Sequence, residues 1–208
     1  MGRSSVTAER RRQIIDATVR VMGEKGWQEA SIDEISRAAG VSRGLVSYHF
    51  GDKAALLAGV LERCREVFVD TVAVSVGPGL DPVYRLRMVT RTAILMARKE
   101  SLTYDVFLHF TASARTERAL GDRLRELYRD FRRGIATAIR DGQRSGAFRL
   151  DIDPDAAAAH HIGTIIGIAF QWLLDPDGFD LDLAARNAED ALVSHLTRRF
   201  PQFAEADG

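Results

Sequence analysis

Residues 40–57 read GVSRGLVSYHFGDKAALL, and the fold turns on how this stretch divides. Ser42 and Asp52 are both of the type that starts a helix by accepting a hydrogen bond from an unpaired backbone N–H. Only a stub fits between them, and it carries arginine, serine, tyrosine and histidine. Upstream, Ser31 and Glu34 make a capping box, which predicts a short helix over 32–39 that ends at Gly40. Short helix, glycine turn, short helix is the helix-turn-helix pattern. Glycine tolerates a backbone conformation there that a branched residue resists. Ile32, Ile35, Ala39 and Val41 then face a first helix, predicted over 8–25. Thr7 is its expected N-cap and Gly26 its stop, with Ile14, Ala17, Val21 and Met22 as the buried stripe.

At 100° per residue, Arg43, Gly44, Ser47 and Tyr48 share one arc of the stub, and Leu45, Val46, His49 and Phe50 share the other. The polar arc offers a guanidinium fork, a hydroxyl, a phenol and a gap without a side chain. Those groups suit a DNA major groove. Arginine pairs with guanine through two hydrogen bonds, while hydroxyls and helix N-termini hold phosphates. Gly44 lets the backbone come close. Lys53 opposes the helix dipole at the start of the next helix, which makes sense if an anion sits beside it. A polar arc is also what any solvated helix shows, and helix-turn-helix geometry occurs in proteins that never touch DNA. The residues alone leave both readings open.

Working outward, helical periodicity continues almost to the end of the 208 residues. A fourth helix is expected to begin after Asp52 and run to about Val76, through Leu56, Leu57, Val60, Leu61, Val67 and Phe68. Gly77-Pro78-Gly79 breaks the chain and Asp81-Pro82 restarts it. Further helices are expected at about 82–98, 101–114, 117–145, 155–174 and 181–198, with Gly142 and Gly146 closing the third of these. Asp153 is the expected N-cap before Pro154, and Asp175-Pro176-Asp177-Gly178 a turn. The fold class expected is all-α, with about nine helices by these start and stop signals. Residues 1–53 form the helix-turn-helix domain, and 54–208 the rest.

The 29 Lys+Arg balance the 29 Asp+Glu, which argues against indiscriminate binding to nucleic acid or anionic lipid. Residues 1–53 carry 9 Lys+Arg against 7 Asp+Glu, a weak basic excess at that end. The single cysteine, Cys64, allows no internal disulfide, and the N-terminus has no apolar leader; both suit the cytoplasm. Residues 156–174 hold no formal charge and are long enough to cross a bilayer. Yet they include His160, His161, Thr164 and Gln171 between flanking aspartates, so the expectation is a helix buried on most sides, partly by a second chain.

Across some sixty residues, from Glu9 to about Phe68, the chain resembles the DNA-binding domain of the TetR family of bacterial regulators. The words that carry the resemblance are RRQIIDATVRVMGEKGWQEASIDEISRAAGVSRGLVSYHFGDKAALL. It implies a dimeric, ligand-responsive transcriptional regulator, most often a repressor, that binds a palindromic operator and is released or altered by a small-molecule effector. An activator, or an organiser of the nucleoid, would share the same head. The resemblance implies a phosphate-contacting cap at Ser31, recognition positions at Ser42, Arg43, Gly44, Ser47, Tyr48 and His49, and the lysine at Lys53. Many members have tyrosine where this chain has Ser47, and in that respect the quartet 47–50 is closest to the choline-responsive repressor subgroup. The family puts His49 on a phosphate, whereas the wheel turns it inward.

Beyond residue 70 the resemblance is looser, but 153–182, DPDAAAAHHIGTIIGIAFQWLLDPDGFDLD, is similar to the last helix pair of many members. It implies a homodimer interface, for which Ile162, Gly163, Ile166, Gly167, Phe170, Leu192, His195 and Leu196 are the candidates; a single-chain core is the alternative. Candidate effector-binding aromatics are Tyr104, Phe107, Phe110, Tyr128, Phe131 and Trp172, although residues of this kind are more often plain core.

Other chemistry fits poorly. His160 and His161 are adjacent and so diverge on a helix, and Asp151, Asp153 and Asp155 lack the glycine and glutamate of a calcium loop. No phosphate-binding glycine loop or nucleophile elbow is present, and His109 and Ser113 lack an orienting carboxylate. The expectation is no enzyme, no cofactor and no metal. The rival from another class is a helical small-molecule-binding or catalytic bundle with a vestigial head.

Overall fold

The structure is a computed structural model of the chain, and it describes residues 3–27, 29–75, 80–114 and 118–198. Among these, every regular element is a helix: α1 (Arg3–Lys25), α2 (Ile32–Ala38), α3 (Arg43–Phe50), α4 (Lys53–Ser75), α5 (Pro82–Lys99), α6 (Ser101–Ser113), α7 (Arg118–Arg144), α8 (Pro154–Leu174) and α9 (Leu181–Thr197). The all-α expectation holds. The expected break at Gly77-Pro78-Gly79 lies outside the described residues.

The capping residues do what the sequence assigns them. The Ser31 hydroxyl accepts from the Glu34 N–H, and the Glu34 carboxylate accepts from the Ser31 N–H. The Ser42 hydroxyl accepts from the Leu45 N–H, and the Asp52 carboxylate accepts from the Ala55 N–H. The Asp153 carboxylate caps α8 at the Asp155 and Ala156 amides, with Pro154 as the first helical residue. Gly40 has φ +63° and Gly51 has φ +72°, so the turns at both ends of α3 use the left-handed region that favours glycine. Two expectations fail. The first helix already includes Arg3, so Thr7 lies inside it and does not start it, since a cap residue permits a helix start without forcing one. Gly142 does not end α7; it lies inside it, where a Cβ would come 2.0 Å from the Phe148 ring.

The chain forms two compact units, Met1–Val74 with Met96–Arg129, and Ser75–Leu95 with Asp130–Gly208. In the first, the predicted stripe of Ile14, Ala17, Val21 and Met22 is buried, together with Ile35, Ala39, Val46 and Phe50 of the short helices. In the second, Leu86, Ile139, Phe148, Ala157, Leu192 and Leu196 make one apolar cluster. Ile94, Ile165, Leu181, Ala185 and Ala188 make another. Glu189 is buried beside them, its carboxylate gripped by the Arg91 guanidinium at 2.6 and 3.2 Å. A buried charge is tolerated only with such a partner.

Helix α8 departs from expectation. It buries Ala157, Ala158, His161, Ile162, Ile165 and Ala169, but only 28% of its most apolar window is covered by the chain itself. It is the one helix among the described residues long and apolar enough to cross a membrane. Its other face is open. Gly163, Gly167, Phe170 and Leu174 follow one another at helical spacing, Phe170 is 44% exposed and Leu174 70% exposed.

His161 sits wholly inside the second unit. The Thr90 hydroxyl donates to the Leu86 carbonyl, so the imidazole Nε2 must donate to Thr90, at 2.9 Å. Burial holds the neutral ring and pushes its pKa down to about 4. The folded pKa thus lies below the unfolded one. The associated stability is complete above about pH 6.5 and is lost as pH falls toward 4, where the unfolded chain takes up a proton that the folded chain refuses. The loss should be roughly 2–3 kcal/mol. Denaturant melts at pH 4.5 and 7 should show this difference in wild type and a much smaller one in His161→Gln. Equal pH dependence in the two proteins would place the acid sensitivity elsewhere.

Candidate nucleic-acid interface

Helix α3 presents its polar arc outward. Arg43, Gly44, Ser47 and Tyr48 are exposed, Tyr48 at 81%, while Val46 and Phe50 are buried and Leu45 and His49 are half-buried. An added Cβ at Gly44 would meet only the Ser42 hydroxyl, 3.9 Å away, so this part of the arc is open to a close approach. Half-burial of His49 agrees with the wheel, and its ring lies edge-on to Tyr48. Ser31 and Ser42 are exposed at the N-termini of α2 and α3.

Helix α1 holds both short helices by their C-terminal ends. The Gln13 side chain donates to the Ala39 carbonyl at 2.7 Å. Arg11 donates to the His49 carbonyl at 2.7 Å while its guanidinium stacks 4.2 Å above the Phe50 ring. Carbonyls at a helix C-terminus lack intrahelical partners, so donors from a neighbouring helix fix the last turns in place. These two residues escaped the sequence reading, because their partners are backbone atoms far along the chain.

Two cations that the sequence assigns to DNA have partners within the protein. Arg43 Nη1 donates to both carboxylate oxygens of Asp33, at 3.1 Å each. The pair is exposed, with side chains 68% and 59% accessible, and bridges the first turns of α2 and α3. Lys53 donates to the Trp27 carbonyl at 3.2 Å, and its ammonium lies 4.3 Å from the centre of the Trp27 ring. That is cation–π geometry. The lysine at the positive end of α4 is therefore compensated by the indole face and a carbonyl. Glu34 is held down to about 2 by the Lys25 ammonium and the Ser31 donors, so the capping box keeps its charge through ordinary pH.

The effector candidates fall into two sets. Tyr104, Phe107 and Phe110 are buried in the first unit, with Phe68 edge-on to Tyr104 and Phe107, and Tyr128 5.9 Å from Phe107. Burial pushes the Tyr104 and Tyr128 hydroxyls up. Phe131 and Trp172 belong to the second unit, Trp172 against the Ile165 cluster. One cleft in the first unit, about 1070 Å³, lies between α1 and α4 and is lined by charged residues such as Arg12 and Glu66. One in the second unit, about 530 Å³, has His160 and His195 on its walls. None of the six aromatics lines either.

The interface candidates need correction. Leu192 and Leu196 are core of this chain, 5% and 0% exposed, and Ile162 is buried too. Side chains consumed by the chain's own core cannot also cover a partner. Gly163, Phe170 and His195 are exposed, and Ile166 and Gly167 half-buried.

A short helix whose polar arc faces solvent, locked in a helix-turn-helix in an all-α chain, is the arrangement that DNA-binding regulators of the helix-turn-helix class present. Residues 14–60 match the model for bacterial regulatory proteins of the tetR family, and residues 82–197 match that for the BetI-type transcriptional repressor C-terminal domain. The chain belongs to the TetR family of ligand-responsive transcriptional repressors. It is 30% identical over 180 residues to the transcriptional regulator BetI of Cronobacter sakazakii, covering 84% of this chain and 85% of that one. It is 26% identical over 178 residues to TtgR of Pseudomonas putida, covering 83% and 84%. Among solved structures, a putative transcriptional regulator from Saccharomonospora viridis in complex with choline superposes with a TM-score of 0.81 at 24% identity, covering 92% of this chain and all of that one.

Proposed function

We propose that the chain is a homodimeric repressor that reads a palindromic operator with two copies of α3 and lets go when a small effector binds. Residues 1–53 act as the reading head, and 54–208 carry effector binding and dimerisation. The observation that carries this is the outward arc of Arg43, Gly44, Ser47 and Tyr48 on a helix whose other face is buried. Arg43 reads a guanine. Ser31, Ser42, Ser47, Tyr48, His49 and Lys53 hold phosphates, and Gly44 admits the backbone. The dimer face is the open stripe of α8, where an added Cβ at Gly163 or Gly167 meets nothing within 4 Å. The second copy covers it, which also accounts for a membrane-length apolar helix in a protein that works in the cytoplasm. The effector binds in the 54–208 part, and the ring faces of Tyr104, Phe107 and Tyr128, which meet within one unit, suit an organic cation. Choline, bound by one structural relative, is the first compound to try. Nothing in this reading needs catalysis, a cofactor or a metal.

Fluorescence anisotropy with the DNA upstream of the gene tests it. The wild type should bind at least 10³ times tighter there than to bulk DNA. Arg43→Ala should lose about 1–3 kcal/mol on the operator and relax preference at one base pair per half-site. Lys53→Ala should weaken all sequences alike and reduce the salt slope by about one, since the Trp27 carbonyl takes only one of its three donors. Absence of any preferred site, or identical losses of discrimination in both variants, would contradict these roles.

A further inference from the structure

We infer that Asp33 is a positioning residue for base recognition: it holds Arg43 by one nitrogen so that the opposite edge of the guanidinium is presented to a guanine. This rests on the proposed role of Arg43 and adds a residue on α2 to the specificity machinery.

The geometry supplies the argument. Both Asp33 oxygens take the same nitrogen, Nη1, at 3.1 Å. Among the described residues, Nε and Nη2 have no hydrogen-bond partner. In a planar guanidinium, Nε–H and Nη2–H point the same way and form one two-pronged edge. That edge matches the O6 and N7 acceptors of guanine. A carboxylate on Nη1 therefore leaves the useful edge whole, whereas a carboxylate across Nε and Nη2 would have consumed it. Arg91 and Arg149 show that other arrangement, pairing Glu189 and Asp151 through Nε and Nη2. The Arg43 pairing differs from these two in the respect that keeps the fork available; Arg87 and Arg133 also use Nη1, but each hydrogen-bonds a single carboxylate oxygen, of Asp190 or Asp130, where Arg43 is held by both oxygens of Asp33.

Position agrees with this. Arg43 is the first residue of α3, and N-terminal residues of a recognition helix are the ones that reach base edges. A long side chain at a helix start is otherwise free to sample many rotamers, and ordering it costs binding free energy. Asp33 lies in the first turn of α2, where a carboxylate is favoured by the helix dipole, so its own position is stable without Arg43. With both side chains mostly exposed, the pair adds little to folding stability. Its effect is to be seen in recognition.

A second effect runs the other way. A carboxylate beside the phosphates repels DNA of every sequence, so Asp33 raises discrimination while lowering general affinity. The two roles are separable because only the first requires Arg43.

The test uses the full-length protein and competition anisotropy on the operator, with each base pair of a half-site changed in turn, for wild type, Asp33→Asn, Asp33→Glu, Arg43→Ala and the Asp33→Asn/Arg43→Ala double variant. Asp33→Asn should lose about three- to fivefold in discrimination at the base pair that Arg43→Ala relaxes, the size expected of an exposed ion pair. Its affinity for bulk DNA should hold or rise, and its melting temperature should not change. In the Arg43→Ala background the same substitution should alter discrimination no further, and Asp33→Glu should restore part of it. Equal changes at all base pairs, or the same effect with and without Arg43, would overturn the positioning role and leave Asp33 a repulsive charge only. If Arg43→Ala leaves discrimination intact at every position, the assignment of Arg43 itself fails, and the inference with it.

Discussion

Phe170→Asp should convert the protein to a monomer and reduce operator affinity by at least about 100-fold, the usual gain from joining two binding modules. Phe170 is 44% exposed in the single chain and lies in the open stripe of α8 with Gly163, Gly167 and Leu174. A carboxylate there costs the isolated chain little, because water still reaches it. In an apolar contact between two copies it would be desolvated without a partner, and such a charge is not tolerated. Sedimentation should therefore give a mass near the chain's 23.0 kDa for the variant and twice that for wild type, with helical content unchanged. A variant that stays dimeric would move the interface off this stripe.

Leu196→Ala should do the reverse, lowering stability and sparing the dimer. The residue is 0% exposed and packs with Leu86, Ile139, Phe148, Ala157 and Leu192. The end of α9 is also tied down by the Arg149 N–H, which donates to the Leu196 carbonyl at 3.0 Å. Truncation leaves a cavity that these neighbours cannot close, and the cost is about 2–5 kcal/mol. A thermal melt should fall by roughly 10 °C for a chain of this size. Loss of the dimer with no change in melting temperature would return Leu196 to the partner face, where the sequence alone had suggested it.

Those two residues show what the sequence could and could not reveal. Helix ends were readable because a cap is local: Ser31 with Glu34, Ser42, Asp52 and Asp153 each act within three residues of themselves. The arc of α3 was readable for the same reason, since a wheel needs only spacing. What covers a face is another matter. Leu196 and Phe170 are both apolar residues on late helices, and only packing sets one in the core and the other in solvent. The failed N-cap at Thr7 belongs with local signals too, but a cap residue permits a helix start and does not force one.

The candidate interface was half legible in the sequence. Its outward residues were found, yet their anchors were not, because each anchor comes from another element. Asp33 reaches Arg43 from α2, Trp27 lies 26 residues before the Lys53 it holds, and Arg11 meets His49 and Phe50 from α1. Nothing in their spacing marks them. The aromatics failed for a related reason: six rings that look like one set are divided between two units, with Tyr104, Phe107 and Tyr128 around Phe68 in the first and Trp172 against the Ile165 cluster in the second.

The most direct check on the whole account is methylation protection of guanine N7 on the operator, the major-groove atom that Arg43 is assigned to contact. Wild type should protect two symmetric patches about one helical turn (~34 Å), or a multiple of it, apart, and Arg43→Ala should expose one guanine in each. A single patch, no patch, or a pattern indifferent to Arg43 would contradict it.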